Sequence, residues 1–234
     1  MKKVTEAIVL AGGLGTRLRS AVPDLPKCMA PVAGMPFLHY VISFYRQQGI
    51  DRFIFSLGYR HEIIEKWLQE SFPELEIDIV IEAEPLGTGG AVQLALEKVR
   101  SNDVLILNGD TLFRIDLSAQ ASRHFQTNAA CTLALKRMTD FDRYGVVETR
   151  MDGTVLSFQE KRYYAEGNIN GGVYVLNKPS FQALPFPEKF SFEKDFLENY
   201  FHQLPLMGVV HDGYFIDIGI PADYTRAQTE LPSL

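Results

Sequence analysis

Ala7-Ile8-Val9-Leu10-Ala11-Gly12-Gly13-Leu14-Gly15-Thr16-Arg17 is an apolar run that empties into glycines and ends on a cation. The stretch Ala7–Leu10 reads as a buried strand. Glycines directly after such a strand let backbone N–H groups close on an anion. A second cation follows at Pro26-Lys27. Arg17 and Lys27 would offset the charge of a phosphate held in the loop. Nucleotide chemistry is therefore the leading expectation.

Two commoner glycine loops do not fit. A P-loop places four residues between two glycines and then Lys-Ser or Lys-Thr, and no such string occurs. A dinucleotide fingerprint needs a third glycine-like position where Leu18 stands, and no acidic residue closes a second strand about 20 residues on. A glycine pair after a strand is most often a plain turn; Arg17 and Pro26-Lys27 tip the reading toward phosphate.

Outward from the loop, strand and helix patterns alternate. Helices are expected at Pro36–Gln48, Glu62–Gln69 and Gly90–Val99, and strands at Arg52–Leu57, Ile77–Ile81 and Val104–Leu107. Such alternation implies βαβ units and an α/β fold with a mostly parallel sheet covered on both faces. The second half is less regular. Strands are expected at Thr132–Lys136, Gly145–Glu148, Thr154–Gln159 and Gly172–Leu176, with turns at Asp152-Gly153 and Gly167-Asn168. Phe192–Tyr200 and Pro221–Thr229 read as helices.

The 234 residues suffice for one large domain or two small ones, and 46% hydrophobic content allows a sizeable core. No apolar run reaches the roughly 20 residues that span a bilayer, and the N-terminus lacks a signal-peptide pattern, so a cytoplasmic protein without a membrane partner is expected. Two cysteines, Cys28 and Cys131, suggest neither a disulfide framework nor a zinc site; Cys28, next to Lys27, is read as an inert small residue. A net charge of −6 argues against nucleic-acid binding, so any affinity for phosphate must be local.

Several residues carry chemistry by position. Asp110 ends Leu105-Ile-Leu-Asn-Gly-Asp110, just past a buried strand, where open α/β sheets bind ligands; it is also plain turn material. Asp217 sits in the apolar Tyr214-Phe-Ile-Asp-Ile-Gly219, where a charge is costly unless paired or metal-bound. Glu160 and Lys161 follow a strand, so their side chains should point to opposite faces. Gly87-Thr88-Gly-Gly90 opens a helix, where small residues allow close approach of a nucleotide and Thr88 also suits an N-cap.

The ordered set Leu10-Ala-Gly-Gly-Leu-Gly-Thr-Arg17, Pro26-Lys27, Glu84-Pro-Leu-Gly-Thr-Gly-Gly90, Asn108-Gly-Asp110, Tyr144-Gly145, Phe158-Gln-Glu-Lys161, Asn170-Gly-Gly172 and Phe215-Ile-Asp-Ile-Gly219 resembles the sugar-1-phosphate nucleotidyltransferases over nearly the whole chain. The resemblance implies a Rossmann-like, three-layer, GT-A-like fold with a mixed, mostly parallel central sheet. It also implies one catalytic domain over 1–234, with a nucleotide half to about 110 and a sugar-phosphate half beyond. Leu10, Ala11, Gly12, Gly13, Gly15, Thr16, Gly87, Thr88 and Asn108 would hold the nucleotide. Asp110 and Asp217 would bind Mg²⁺, whose preference for hard oxygen ligands suits carboxylates. Lys161 would hold the sugar phosphate, and Glu160, Asn170 and the Gly145 backbone would hold the sugar. Arg17, Lys27 and Lys161 would be the catalytic cations. The partners implied are GTP or another nucleoside triphosphate and a sugar 1-phosphate; a homo-oligomer is left open.

Relatives that use uracil or thymine often carry glutamine five residues before the first glycine of the Gly87 loop, where this chain has Glu82. Guanine offers two donors that one carboxylate can accept together, so GTP is the expected donor, with Glu84 a second candidate reader. Pro26-Lys-Cys-Met-Ala-Pro31 with Gly34-Met-Pro-Phe37 looks most like the D-glycero-α-D-manno-heptose 1-phosphate guanylyltransferase subgroup; mannose-1-phosphate guanylyltransferases and sugar-1-phosphate uridylyltransferases are the rivals. A non-catalytic nucleotide-sugar sensor should have lost some of Arg17, Lys27, Asp110, Lys161 and Asp217, and all five are present.

Overall fold

In a computed structural model, residues 2–13, 18 and 22–233 are described. The expectations for Gly15, Thr16 and Arg17 fall outside them. Along the chain come β1 (Glu6–Leu10), a 3-10 turn (Lys27–Met29), β2 (Pro31–Val32), β3 (Met35–Pro36), α1 (Phe37–Gln47), β4 (Arg52–Leu57), α2 (His61–Ser71), β5 (Glu76–Ile81) and α3 (Gly87–Ala95). Then follow β6 (Asp103–Asn108), β7 (Thr111–Phe113), α4 (Leu117–Thr127), β8 (Cys131–Phe141), β9 (Val147–Thr149), β10 (Val155–Phe158), β11 (Tyr164–Asn177) and α5 (Lys178–Gln182). A π-helical segment (Phe192–Glu198), β12 (Leu206–His211), β13 (Phe215–Asp217), α6 (Pro221–Glu230) and a 3-10 turn (Leu231–Ser233) complete the described elements.

The central sheet has seven strands in the order β12-β8-β11-β6-β1-β4-β5. β12–β8, β6–β1, β1–β4 and β4–β5 pair in parallel, whereas β11 runs antiparallel to both neighbours. The mixed, mostly parallel sheet expected from the sequence is thus present. Its central strands are apolar on both faces because successive side chains enter different cores. Ala7 and Val9 of β1, Phe53 and Phe55 of β4, and Leu105 and Leu107 of β6 pack with α1, α2, α4 and α6. Ile8, Ile54, Val104 and Ile106 pack on the other face with α3, Phe181 and the π-helical segment. Two layers of helices therefore enclose the sheet.

Some boundaries differ from the sequence reading. α3 begins at Gly87 rather than Gly90 and ends at Ala95. Gly167-Asn168 is no turn: it lies inside the long β11, paired with Met138 and Arg137 of β8. The cross-strand ladder there supplies the hydrogen bonds that a turn would otherwise satisfy locally. Among the described residues no helix is long and apolar enough to cross a membrane.

A buried ionic knot closes the end of the sheet opposite the strand C-termini. Arg52 is 4% exposed; it bonds Glu6 and Asp78, donates to the Lys98 carbonyl and lies 3.2 Å from Glu76. Burial raises the Glu6 carboxyl, but hydrogen bonds from Ser101, the Arg100 and Ser101 backbone and Arg52 outweigh it and hold Glu6 below its usual range. Glu6 therefore stabilises the fold at neutral pH, and that contribution fades as pH falls through the acid range. Removing one partner strands a buried charge. Arg52→Ala is expected to lower unfolding free energy by about 3 kcal/mol at neutral pH, measured by urea denaturation; an unchanged midpoint would contradict the assignment.

Candidate active site

The parallel strands β1, β4, β5 and β6 all end at one edge of the sheet, where ligands bind in open α/β folds. A cavity of about 540 Å³ lies there, lined by Leu10 to Gly13 after β1, Glu82 after β5, Gly87 and Thr88 of α3, and Asn108 to Asp110 after β6. A second cavity, of about 390 Å³, is lined by Tyr144, Gly145, Lys161, Asn170, Tyr174, Glu193 and Asp217, among others. Lys27, Asn108 and Asp110 line both. The two cavities thus share a seam built from the loop after β6 and the turn carrying Lys27.

Strand pairing explains how two acids distant in sequence reach this seam. β13 pairs antiparallel with β7 so that Asp217 stands opposite Thr111, next in chain to Asp110. The Ile218 N–H donates to the Asp110 carbonyl at 3.1 Å and pins the register. Lys27 Nζ lies 2.5 Å from Asp110 Oδ2 and 3.5 Å from Asp217 Oδ1. Its turn is fixed by Pro26 and by the buried Cys28 and Met29. The Gly219 N–H donates to Asp217 Oδ1 at 2.7 Å. Burial and the Asp110 charge raise the Asp217 carboxyl above its ordinary range despite Lys27 and that N–H. Tyr144, beside this pair, is held up as a phenol by burial and the Asp217 charge.

Two carboxylates that share one lysine, with side chains 35% and 26% exposed, form a donor set of the kind a hard divalent cation takes. Among the described residues no cluster of three or more His, Cys, Asp or Glu side chains converges. A small divalent ion held by these two carboxylates would take further oxygen ligands, such as water or substrate phosphates. The residues present fit such an ion.

Glu82 is more constrained than its sequence position suggests. Ser56 Oγ donates to Oε1 at 3.2 Å and the Leu86 N–H to Oε2 at 3.1 Å. A Cβ on Gly12 would lie 2.5 Å from Oε1, so Gly12 makes room for the carboxylate. Glu84 lines neither cavity. Cys28 lines the first cavity as a buried thiol, pushed up to about 12 by burial with the Asp110 charge adding to it, so it stays an inert thiol.

Two expectations require correction. Thr88 is not an N-cap: α3 starts at Gly87, and Thr88 Oγ1 donates to Glu193 at 2.8 Å and accepts from the Phe192 N–H at 2.9 Å. The glycines of this loop serve the same packing. A Cβ on Gly89 would lie 2.2 Å from the Phe190 ring, and one on Gly90 2.4 Å from the Glu188 carbonyl. They admit a neighbouring segment of the protein; only Gly87 and Thr88 of this helix start line the first cavity. Lys161, Gly145 and Asn170 line the second cavity, and Glu160 does not. Glu160 and Lys161 diverge as neighbours after a strand should. The sequence reading missed Tyr174 and Glu193. Tyr174 sits in an apolar strand and reads as core; Glu193 sits in Ser191-Phe-Glu-Lys-Asp-Phe196, which reads as an ordinary helix start.

Comparison with known proteins agrees with this architecture. A family profile described as Nucleotidyl transferase matches residues 6–233. A D-glycero-α-D-manno-heptose 1-phosphate guanylyltransferase of Aneurinibacillus thermoaerophilus is 54% identical over 97% of this chain and 98% of its own length. One from Campylobacter jejuni subsp. jejuni is 45% identical over 94% and 96%. The crystal structure of HddC from Yersinia pseudotuberculosis complexed with GMP-PN superposes with a TM-score of 0.87 at 36% identity, covering 96% of this chain and 98% of that one. A mixed sheet, a two-cavity cleft at its strand ends and a profile match across nearly every residue converge on one conclusion: the chain belongs to the nucleotidyl transferase family of enzymes.

Proposed function

We propose that the protein is a guanylyltransferase that joins GTP to D-glycero-α-D-manno-heptose 1-phosphate, forming the GDP-heptose and pyrophosphate in the cytoplasm. It would work as one catalytic domain, with a nucleotide half to about residue 110 and a sugar-phosphate half beyond. The observation that carries the reading is the shared seam: Lys27, Asn108 and Asp110 line both cavities, where two phosphates would have to meet. Identities of 54% and 45% to heptose 1-phosphate guanylyltransferases, over nearly full length, support the choice of sugar and base.

The nucleophile would be a phosphate oxygen of the sugar 1-phosphate, ionised near neutral pH, so no side chain has to take a proton. It attacks the α-phosphorus in line with the α–β bridging oxygen. That P–O bond breaks, pyrophosphate leaves with the electron pair, and configuration at phosphorus inverts. The protein's task is alignment and charge neutralisation. Lys161 would orient the sugar phosphate and Lys27 would neutralise charge at the seam. Asn108 and the backbone of Leu10 to Gly13 would hold the nucleotide. Arg17, Gly15 and Thr16 are assigned by resemblance alone. Asp110 and Asp217 would hold a divalent ion, Mg²⁺ by the resemblance, which would supply positive charge at the seam.

Pyrophosphate release should appear when the purified protein meets Mg²⁺, GTP and the heptose 1-phosphate together, and should weaken with mannose 1-phosphate or UTP. Absence of sugar-dependent release from every sugar 1-phosphate tried would end the reading. Lys27→Ala should slow turnover by about 10²–10³-fold, the usual cost of one preorganised charge. Glu82→Gln should lower the GTP-over-UTP preference; an unchanged ratio would remove Glu82 as the base reader.

Asp217 also makes a stability prediction. Its carboxyl is raised in the folded state, so it favours folding below the unfolded carboxylate range, and that benefit is lost as pH rises through the raised value. At neutral pH without divalent ions the charge is therefore a net cost to the fold. Asp217→Asn should melt at higher temperature than the parent at pH 7, with the gain vanishing on acidification, while turnover falls by about 10²–10³-fold. A variant that melts lower at pH 7 would contradict this.

A further inference from the structure

Thr88 and Glu193 join the walls of the two cavities. Thr88 lines the first and Glu193 the second, and the Thr88 hydroxyl donates to Glu193 Oε2 at 2.8 Å. The same hydroxyl accepts from the Phe192 N–H, so both of its main hydrogen-bonding roles are spent inside the protein. Around it the start of α3 is fastened to the segment before the π-helix. The Gly89 N–H donates to the Phe190 carbonyl at 2.9 Å and the Phe190 N–H to the Leu86 carbonyl at 3.0 Å. Gly89 and Gly90 leave no room for a side chain between the two segments.

Glu193 reaches the second cavity as a partly exposed carboxylate whose protein partners are hydroxyls. Oε2 takes Thr88 and, at 3.2 Å, Ser191 Oγ, and the carboxylate also meets the Tyr174 hydroxyl; no cation among the described residues pairs with it. A carboxylate accepts about four hydrogen bonds and donates none. The capacity left over calls for donors from whatever fills the cavity. Its neighbours there are of the same kind. Asn170 Nδ2 donates to the Tyr174 hydroxyl at 2.9 Å, and burial together with the Glu193 charge keeps that phenol protonated. Lys161 supplies a cation in the same wall. An anion-binding lysine with a carboxylate, an amide and a phenol in one cavity suits a phosphorylated polyol. Glu160, the acid that the resemblance nominated for sugar hydroxyls, lines neither cavity.

We propose that Glu193 accepts hydrogen bonds from hydroxyls of the sugar 1-phosphate and sets sugar selectivity, and that Thr88 is the positioning residue that aims it. This rests on the sugar-1-phosphate reading above. The nucleotide-side helix α3 would thereby set the geometry of the sugar wall.

The test separates the two claims. Turnover of the parent with GTP and the heptose 1-phosphate establishes the reading itself; the remaining measurements assume it. Glu193→Gln should raise KM for the sugar 1-phosphate by about 10- to 100-fold, as expected for loss of a hydrogen bond to a charged acceptor, with KM for GTP within twofold. A series of monodeoxy sugar 1-phosphates gives the readout that a bracing role would not move. With the parent, one deoxy position should lose about 10-fold or more in kcat/KM, and with Glu193→Gln that same penalty should shrink toward unity. Thr88→Val should raise the sugar KM in the same direction, and Thr88→Ser should restore it. Identical deoxy penalties in parent and Glu193→Gln would overturn the proposal, as would a lowered melting temperature with unchanged sugar KM. Should Glu193→Gln fail to fold, the deoxy series on Thr88→Val and Thr88→Ser decides instead: equal penalties across both and the parent would overturn it.

Discussion

Antiparallel pairing of β13 with β7 forces two carboxylates to the same place. Asp217 is held opposite Thr111, so it cannot retreat from Asp110 without breaking the ladder. Like charges so placed repel, and burial removes the water that would screen them. Lys27 stands between them at hydrogen-bonding distance. Burial and the Asp110 charge keep the Asp217 carboxyl raised even with Lys27 beside it. The fold therefore carries a standing demand for more positive charge at one point, and that point lies where the two cavities join.

The sheet explains why the demand sits there. The β1 and β6 strands are parallel neighbours, so their C-terminal loops lie side by side and line the first cavity together. β11 returns antiparallel to β6, and its register shifts between Asn170 and Tyr174 where it passes that edge. Both residues line the second cavity. A parallel strand in that place would have carried its loop to the same side as the others. The reversal of a single strand separates the first cavity from the second while leaving them in contact.

Much of this was legible in the sequence, for identifiable reasons. β1, β4 and β6 are apolar on both faces because both faces are covered, and such runs stand out. Asp110 was visible as an acid just past a buried strand, and Asp217 as a charge in an apolar one. That they meet depends on strand register, which spacing along the chain does not encode; the family resemblance suggested it and the pairing of β13 with β7 accounts for it. α4 was missed because its buried face carries Gln120 and His124 beside Leu117 and Ala121. Those polar groups are satisfied by Thr132, Asp103 and His211, which lie on β8, β6 and β12 and not on the helix itself. The first half of β11 was misread because Gly167-Asn168 has turn chemistry, while its pairing with β8 is a tertiary matter. The glycines after Leu86 were read as room for a nucleotide, and Gly89 and Gly90 prove to be room for Phe190 and Glu188. A glycine records close approach without saying of what.

An acidic protein that handles two polyanions gains nothing from its overall field, since a net charge of −6 opposes their approach. Under the proposed function, recognition would come from groups that act over a few ångströms: backbone N–H groups at strand ends, Lys27 at the seam, Lys161 in the second cavity. Short-range groups work only when held in place, and here the walls hold one another. The start of α3 lines the first cavity and is also fastened to the 188–193 segment, whose Glu193 lines the second. The Thr88 hydroxyl and the Gly89–Phe190 backbone bond tie α3 to the segment that carries Glu193. Under the proposed function, mutual bracing of this kind would let a small domain bring two repelling phosphates to one position without long-range attraction.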